Sequence, residues 1–166
     1  MGSSARPSAS ALTDVVLRRA TPADLPEVAA MERLCYGDPW PPSAFASLPE
    51  NAEVFFAVAR DEGQGTEGGQ LVGYVIGWYV LDEGELANLA VAPAMRRRGI
   101  GRSLLDAMLD DAAARGVSRV FLEVRESNQA ARQLYALREF EHVGRRKRYY
   151  RSPVEDALIL RRTLKR

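Results

Sequence analysis

The chain has 166 residues, of which 46% are hydrophobic and 27% charged, with a formal net charge of +1. This composition is typical of one folded domain and excludes a fibrous or disordered chain. The near-neutral charge gives no overall field that attracts nucleic acid or a membrane. With one cysteine, Cys35, and one histidine, His142, the chain has no disulfide framework and no metal site built from clusters of these residues.

The apolar runs and the first residues of the chain indicate its cellular location. No apolar run reaches the ~18–20 residues that span a bilayer, and the first residues lack the apolar centre of a secretory signal. We expect a disordered tail over residues 1–13, a single domain over 14–166 and a cytoplasmic protein. His142 follows Glu141 in a polar stretch and is expected on the surface.

The first half of the chain predicts a strand, a helix and three further strands. Thr21 provides an N-cap, Pro22 a favoured first-turn residue and Asp24 an acid at the helix start. Four apolar residues are spaced as one face of this helix, namely Leu25, Val28, Ala29 and Leu34. The predicted segments are a strand at 15–19, the helix to about 35, a short helical piece at 43–48, and strands at 53–59, 71–80 and 85–91.

In the second half the apolar period changes from two to 3.6 residues. An apolar stripe runs from Ile100 to Ala112, and Gly116 ends that helix. A strand at 117–124, a helix capped by Ser127 and Asn128 that ends near 137, and strands at 141–150 and 155–160 follow. This order predicts a mixed sheet with helices packed on it rather than a strict βαβ repeat.

The stretch from Leu89 to Leu105 is the most informative part of the chain. A predicted strand ends at Val91, a loop with Gly99 and Gly101 follows, and an amphipathic helix begins at once. The first amides of a helix lack intrahelical acceptors and carry the positive end of the helix dipole, and glycine lets the backbone approach an anion closely. Four arginines add positive charge, namely Arg96, Arg97, Arg98 and Arg102. The segment therefore predicts a phosphate or diphosphate site.

Two common phosphate loops are excluded by the residues present. A P-loop requires Gly-Lys-Ser/Thr, and this segment has no lysine. A dinucleotide fingerprint requires a third glycine where Leu104 stands. A basic loop that faces water is the remaining alternative.

The pattern Arg96-x-x-Gly99-x-Gly101 resembles the signature of the GNAT acetyltransferases. The resemblance, over roughly 15–161, implies the family's α/β (α+β) fold, a mixed and mostly antiparallel sheet of six to seven strands flanked by about four helices. It implies acetyl-CoA as co-substrate and no metal. In that family the loop holds the diphosphate, and the preceding strand supplies backbone groups to the pantetheine arm. The cofactor contacts implied here are Leu89, Ala90, Val91, Arg96, Arg97, Arg98, Gly99, Ile100, Gly101, Arg102 and Ser103.

Acetyl transfer to an amine needs a base for the amine and benefits from an acid for the departing thiolate. An α-amine, with a pKa of about 7.7–8.0, needs less help than a lysine amine at about 10.4. Glu123 interrupts an apolar strand, so it must have a partner, lie at the strand end or be functional. Tyr135 lies on the following helix, where a core aromatic with a satisfied hydroxyl is the alternative interpretation.

The residues from Leu122 to Tyr135 resemble bacterial ribosomal-protein alanine N-acetyltransferases of the RimI type. Their pattern is Leu-Glu-Val-Arg-x-Ser-Asn-x-x-Ala-x-x-Leu-Tyr, and every fixed position matches. The resemblance implies that Glu123 is the general base, Tyr135 the general acid and Asn128 a cofactor contact. Glu85, on the earlier strand, is the alternative base.

One position departs from the family's pattern. Glu139 stands where the family usually has a helix-ending glycine before Phe140. A residue with a Cβ is disfavoured at such a left-handed position. We therefore expect the turn to differ or to carry strain, without effect on Tyr135, which lies a full turn earlier.

Two further segments favour a peptide acceptor. The segment from Cys35 to Trp40 resembles the family's peptide-entry segment ending in Pro-Trp, and 145–150 resembles its Arg-rich, Tyr-Tyr final hairpin. The resemblance implies that the acceptor is the N-terminal α-amine of a small-subunit ribosomal protein whose first residue is alanine. The implied acceptor contacts are Tyr36, Trp40, Glu85 and Tyr149.

Several alternatives stay open. Asp82, Glu83 and Glu85 face either a basic peptide or water. The acceptor could instead be a small-molecule amine or a lysine side chain, and the basic segment 145–151 could serve a nucleic-acid-binding module. Since Cys35 lies outside the catalytic segments, we expect direct attack in a ternary complex, with no acyl-enzyme, no membrane and no stable nucleic-acid partner.

Overall fold

The computed structural model describes residues 14–63, 65 and 67–164, so the tail expected at 1–13 lies outside the described residues. The strands are β1 (Val15–Arg19), β2 (Val54–Asp61), β3 (Gln70–Val80), β4 (Glu83–Val91), β5 (Arg119–Arg125), β6 (Glu141–Arg151) and β7 (Val154–Thr163). The α-helices are α1 (Leu25–Cys35), α2 (Ile100–Ala114) and α3 (Gln129–Leu137). Short 3₁₀ helices lie at Pro22–Asp24, Pro42–Phe45, Leu48–Glu50 and Pro93–Met95. The predicted order of elements is confirmed, and the helical piece expected at 43–48 consists of two 3₁₀ turns.

The seven strands form one sheet in the order β1-β2-β3-β4-β5-β7-β6. Only the central pair, β4 and β5, is parallel, and the other pairs are antiparallel. The prediction of a mixed and mostly antiparallel sheet is thus confirmed.

The parallel strands β4 and β5 separate halfway along their length. Their pairing runs from Glu83 opposite Arg119 to Leu86 opposite Leu122 and then stops. A β-bulge lies at the same level, because β3 pairs Ile76 with Asn88 but Gly77 with Leu86, which leaves Ala87 as the extra residue. The bulge redirects the end of β4, and a cleft opens between the two strands.

Each face of the sheet has its own apolar core. On one face α2 buries Leu104, Leu105 and Met108 against the strands, and α3 adds Tyr135 to this core. On the other face α1 packs Val28 and its neighbours against β2, β3 and the end of β4. The two helices α1 and α3 therefore lie on opposite faces of the sheet, next to the β4–β5 cleft.

The prediction for the buried face of α1 is wrong at one position. Leu34 is 67% exposed, because a helical stripe that contains Leu25, Val28 and Ala29 continues at residue 32 rather than 34. The buried residue there is Glu32, which is 1% exposed. A carboxylate thus takes a core position facing the sheet.

The turn after α3 keeps its geometry without glycine. Glu139 has φ 62, in the left-handed region. The N–H of Phe140 donates to the carbonyl of Tyr135 at 3.0 Å, and that of Glu139 to Ala136 at 3.1 Å, which is the Schellman arrangement. The expected strain is present and costs about 1–2 kcal/mol.

No helix in the described ranges is long and apolar enough to cross a bilayer. His142 is exposed, as predicted.

Candidate active site

The glycine loop connects the end of β4 to the start of α2. Gly99 has φ 82 and is the N-cap residue of α2, a conformation that favours glycine. The first bond of the helix runs from the Ser103 N–H to the Gly99 carbonyl at 3.0 Å. The amides that precede it have no intrahelical acceptor and are available to an anion.

The space around Gly101 indicates whether this loop has room for a diphosphate ligand. A Cβ at this position would lie 3.5 Å from Val91 and 3.8 Å from Leu134, which is ordinary van der Waals contact. Neither a positive φ nor protein packing therefore requires glycine at residue 101. The missing Cβ leaves open the groove between the end of β4 and α3, beside the free helix amides, and this fits a phosphorylated ligand.

The arginines of the loop divide into two groups. Arg96 turns back toward the protein, where its Nε donates to the Val91 carbonyl at 3.2 Å and its Nη2 lies 3.7 Å from the Cys35 sulfur. Arg97, Arg98 and Arg102 are exposed, and no described carboxylate forms an ion pair with them. These three cations are free to meet phosphate charge.

Two backbone groups at the end of β4, the N–H and the carbonyl of Leu89, already have hydrogen-bond partners within the protein. The Leu89 N–H donates to the Asn88 side chain at 3.1 Å, and the hydroxyl of Tyr36 donates to the Leu89 carbonyl. A pantetheine arm that pairs with Leu89 must replace these bonds. The roles expected of Leu89, Ala90 and Val91 remain predictions.

A cavity of about 410 Å³ opens where β4 and β5 separate. Its walls come from the end of α1 and the loop after it, from β4, β5 and α3, and from β6. All of the catalytic and acceptor residues predicted from the sequence line it, namely Tyr36, Trp40, Glu85, Glu123, Tyr135 and Tyr149, together with two predicted cofactor contacts, Leu89 and Asn128. The loop 96–103 does not line this cavity and lies at the end of β4.

Glu123 is the first residue of β5 beyond its last pair with β4. Its side chain is 20% exposed, and its Oε1 lies 2.7 Å from the Nε of Arg146. It borders the 410 Å³ cavity and also a neighbouring cavity of about 300 Å³. The carboxylate therefore stands at the mouth of the cleft, between two openings.

Glu85 lines both cavities as well. It lies within the paired part of β4, opposite Phe121, and accepts a hydrogen bond from the Trp78 indole at 3.0 Å. It is thus set back from the point where the strands separate, whereas Glu123 is at that point.

Tyr135 projects from α3 into the opposite wall of the cavity. The residue is 7% exposed, and its ring contacts that of Phe140 at a centroid distance of 5.7 Å. Its hydroxyl has no hydrogen-bond partner within 14–63, 65 and 67–164. Burial raises the pKa of this hydroxyl above its ordinary value of 10.0, so the group keeps its proton at neutral pH and can donate it.

The buried carboxylate of Glu32 holds several residues that line the 410 Å³ cavity. Its carboxylate accepts from the Trp40 N–H at 3.0 Å, from the Asn88 amide at 2.6 Å and from the Tyr74 hydroxyl. Trp40 in turn stacks on Trp78 at 5.9 Å with an interplanar angle of 9°. The buried carboxylate is thus held by neutral donors, and it fixes an aromatic wall of the cavity.

The loop after α1 meets the β6–β7 turn above the cavity. The Oδ2 of Asp38 accepts from the N–H groups of Arg151 and Ser152 at 3.2 and 3.1 Å, and lies 3.3 Å from Arg125. These backbone bonds lower the pKa of Asp38, so the contact is made in its charged form. A Cβ at Gly37 would lie 2.4 Å from the Ser152 carbonyl oxygen. The two loops form an arch.

Sequence reasoning missed several residues of this site. Glu32 had a signal, since it falls on the apolar stripe of α1. Trp78, Asn88 and Asp38 had none, because each acts through a partner far away in the chain. No group of three or more His, Cys, Asp or Glu side chains within the described ranges is arranged to hold a metal.

A mixed sheet whose central parallel strands separate over a cavity, next to a glycine loop for a diphosphate, defines an acyltransferase that uses a CoA thioester. A model of the Acetyltransferase (GNAT) family matches residues 25–140. The chain belongs to the GNAT acetyltransferase family, whose members take the acetyl group from acetyl-CoA.

Within this family, the chain is similar over most of its length to N-terminal acetyltransferases. The chain is 37% identical over 139 residues to the [Ribosomal protein bS18]-alanine N-acetyltransferase of Escherichia coli (strain K12), covering 82% of this chain and 89% of the relative. It is 40% identical over 154 residues to the N-alpha-acetyltransferase RimI of Mycobacterium tuberculosis, covering 89% and 92%. The crystal structure of the E. coli ribosomal-protein-S18-alanine N-acetyltransferase matches with a TM-score of 0.80 and 32% identity, over 92% of this chain and 95% of that one.

Proposed function

We propose that this acetyltransferase modifies the N-terminal α-amine of a protein, with alanine as the first residue and a small-subunit ribosomal protein as the target, in the cytoplasm. The observation that carries the proposal is the cavity of about 410 Å³ at the β4–β5 cleft, which Glu123, Tyr135 and all four expected acceptor contacts line together. The names of the relatives supply the ribosomal target.

The arch over the cavity supports a chain end as acceptor. Asp38 and Gly37 tie the loop after α1 to Ser152 in the β6–β7 turn. A cleft closed on this side admits the slender end of a peptide more easily than a residue within a folded surface. The stacked Trp40 and Trp78 provide a flat apolar wall beside it.

Acetyl-CoA supplies a thioester, and the residues of the chain move the two protons. Glu123 takes a proton from the α-ammonium group at its carboxylate, directly or through a water molecule. An α-amine with a pKa of about 7.7–8.0 needs only mild assistance at neutral pH. As the nitrogen–carbon bond forms and the carbon–sulfur bond breaks, the Tyr135 hydroxyl, which burial keeps protonated, gives its proton to the departing sulfur, and the second proton lost by the nitrogen restores the hydroxyl. Glu85 remains the alternative base, although its bond to Trp78 and its position before the separation favour Glu123.

The diphosphate loop completes the proposed site. The amides at the start of α2 and the free arginines are proposed to hold the diphosphate, while Asn128 contacts the cofactor through its amide nitrogen. The Asn128 side-chain oxygen is already bound to the Ala131 N–H at 3.2 Å, where it caps α3. That bond fixes the side chain at the edge of the cavity.

Ion pairs and hydrogen bonds within the protein disfavour two alternatives, nucleic-acid binding by the segment 145–151 and contact of a basic peptide with Asp82 or Glu83. Arg145 pairs with Glu126 and Asp156 at 2.8 and 2.9 Å, so part of the basic segment 145–151 is neutralised within the protein and is less suited to nucleic acid. Asp82 accepts from the Ser118 hydroxyl at 2.9 Å, and Glu83 pairs with Arg119 at 3.2 Å. Of the three acids at the β3–β4 turn, Glu85 alone lines the larger cavity.

An acceptor panel tests the proposal. Purified protein and acetyl-CoA are incubated with a basic peptide that begins with alanine, the same peptide with a formylated N-terminus, a lysine derivative and a polyamine. We expect mass spectrometry to find one acetyl group on the first peptide alone. Acetylation of the formylated peptide would identify a lysine acetyltransferase, and acetylation of the polyamine alone a small-molecule enzyme. Labelled acetyl-CoA in a ribosomal extract then identifies the target protein.

A further inference from the structure

We propose that Arg146 is a positioning residue that orients the Glu123 carboxylate for proton transfer. This inference rests on the proposed role of Glu123 as base. Arg146 lies on β6, whereas Glu123 lies on β5, and β7 separates the two strands in the sheet. The Nε–Oε1 distance of 2.7 Å joins them across β7.

The register places both side chains on one face of the sheet. Glu123 pairs with Ile159, and Arg146 pairs with Ala157, two residues earlier in β7. The regular pairing of β6 is interrupted after Arg146 and resumes at Tyr150. This irregularity brings Tyr149 next to Arg146, whose guanidinium lies 5.7 Å from the centre of the Tyr149 ring.

Arg146 approaches the carboxylate from the side of the smaller cavity. It lines the 300 Å³ cavity and not the 410 Å³ cavity, whereas Glu123 borders both. One carboxylate oxygen is thus engaged from outside. Tyr149 lines the 410 Å³ cavity together with Glu123, and the nearby carboxylate and burial raise the pKa of the Tyr149 hydroxyl. The contact with Arg146 therefore restricts the orientation of the Glu123 carboxylate at the cleft.

The pair contributes little to stability. The Arg146 side chain is 57% exposed, and exposed ion pairs contribute about 0–1 kcal/mol. Its effect is therefore expected in the geometry of the base rather than in the fold. A base held out of reach of its proton loses rate without loss of ligand binding.

The experiment compares Arg146→Gln, Arg146→Lys and Lys147→Gln. Lys147 is exposed and is the next residue on β6. Its replacement by Gln removes one positive charge, as Arg146→Gln does. We expect Arg146→Gln to lower kcat about tenfold with KM for acetyl-CoA unchanged. Arg146→Lys, which keeps a cation within reach, should recover kcat to within about threefold of the wild type. Lys147→Gln should change kcat less than twofold, as is usual for surface substitutions.

The double variant Glu123→Gln/Arg146→Gln separates positioning from damage to the hairpin. If Arg146 acts through Glu123, its replacement lowers kcat less than about twofold once Glu123 is gone. A full tenfold loss in that background would contradict the inference, as would unchanged kcat in Arg146→Gln alone. If Glu123→Gln alone leaves kcat intact, the proposed base itself is wrong, and the two failures are thus distinguishable.

Discussion

The cofactor side and the acceptor side of the site are built in different ways. The diphosphate part of the cofactor side is one continuous segment, 96–103, in which backbone amides, glycines and the start of α2 form the proposed binding surface. The acceptor side is made of side chains from α1 and the loop after it, and from β3, β4, β5, α3 and β6, which meet at the cleft.

This difference determines what each side can tolerate. The cofactor side depends on the absence of atoms at Gly101 and on helix geometry, so added side-chain atoms should damage it. The acceptor side depends on particular polar groups such as Glu123 and Tyr135, so the loss of single atoms should damage it. The predictions below test this contrast.

The largest effect is expected from Glu123→Gln, which removes the proposed base and keeps its shape. We expect kcat to fall about 100-fold, as for loss of a general base, while calorimetry finds an unchanged Kd for CoA. Glu141→Gln, an exposed change on β6, is the control for charge. A greater loss of kcat in Glu85→Gln than in Glu123→Gln would transfer the role of base to Glu85.

Tyr135→Phe should lower kcat about 10- to 100-fold, because the departing sulfur loses its proton donor. Since burial raises the Tyr135 pKa above 10.0, the hydroxyl stays protonated as pH rises through the ordinary tyrosine range. The wild-type kcat should therefore show no decline below pH ~10 from this group. Tyr79→Phe is the matched control, because its hydroxyl contacts the Met108 carbonyl in the core under α2. An alkaline decline near pH 9 that disappears in Tyr135→Phe would contradict the assigned donor.

Gly101→Ala should weaken CoA binding about tenfold, equivalent to ~1.4 kcal/mol. The added methyl group enters the groove between Val91 and Leu134, where the protein itself has room. Because alanine favours a helix over glycine, the free energy of unfolding should stay unchanged or rise by up to about 1 kcal/mol. Denaturation and calorimetry on the same sample measure both quantities. Equal CoA affinity in the variant would mean that the ligand does not approach this residue.

The smallest effect is expected from Cys35→Ala. Burial raises the pKa of the Cys35 thiol, so it is a poor nucleophile at neutral pH, and the proposed mechanism does not use it. Turnover should stay within about twofold of the wild type. Loss of activity, with an acetylated Cys35 detected by mass spectrometry in the wild type, would replace direct attack by an acyl-enzyme route.

The two sides also differ in how far the sequence predicts them. The strand, glycine loop and helix around Gly99 are adjacent in the chain, so local spacing indicates a diphosphate site without further information. The order of strands and helices is likewise a local property, and its prediction is confirmed. The family resemblance implies the proposed roles of Glu123 and Tyr135, and it reaches both residues because they fall within one short motif.

Long-range contacts on the acceptor side escaped prediction. The position of Glu32 next to Trp40 depends on how α1 packs on the sheet. The apolar spacing predicts Leu34 on the buried face of α1, where the structure has Glu32. The pairing of Arg146 with Glu123 depends on the insertion of β7 between β5 and β6. The bulge at Ala87 and the separation of the parallel strands arise from sheet geometry, for which no local pattern in the chain gives a signal.

The measurement that tests the central claim most directly is a calorimetric titration of the wild-type protein with CoA and with pantetheine, which lacks the diphosphate. If the amides and arginines of residues 96–103 hold the diphosphate, CoA should bind at least about 100-fold more tightly, since two charge-assisted hydrogen bonds contribute ~3 kcal/mol or more. Equal affinities for the two ligands, or no heat from CoA with folded protein, would contradict the account.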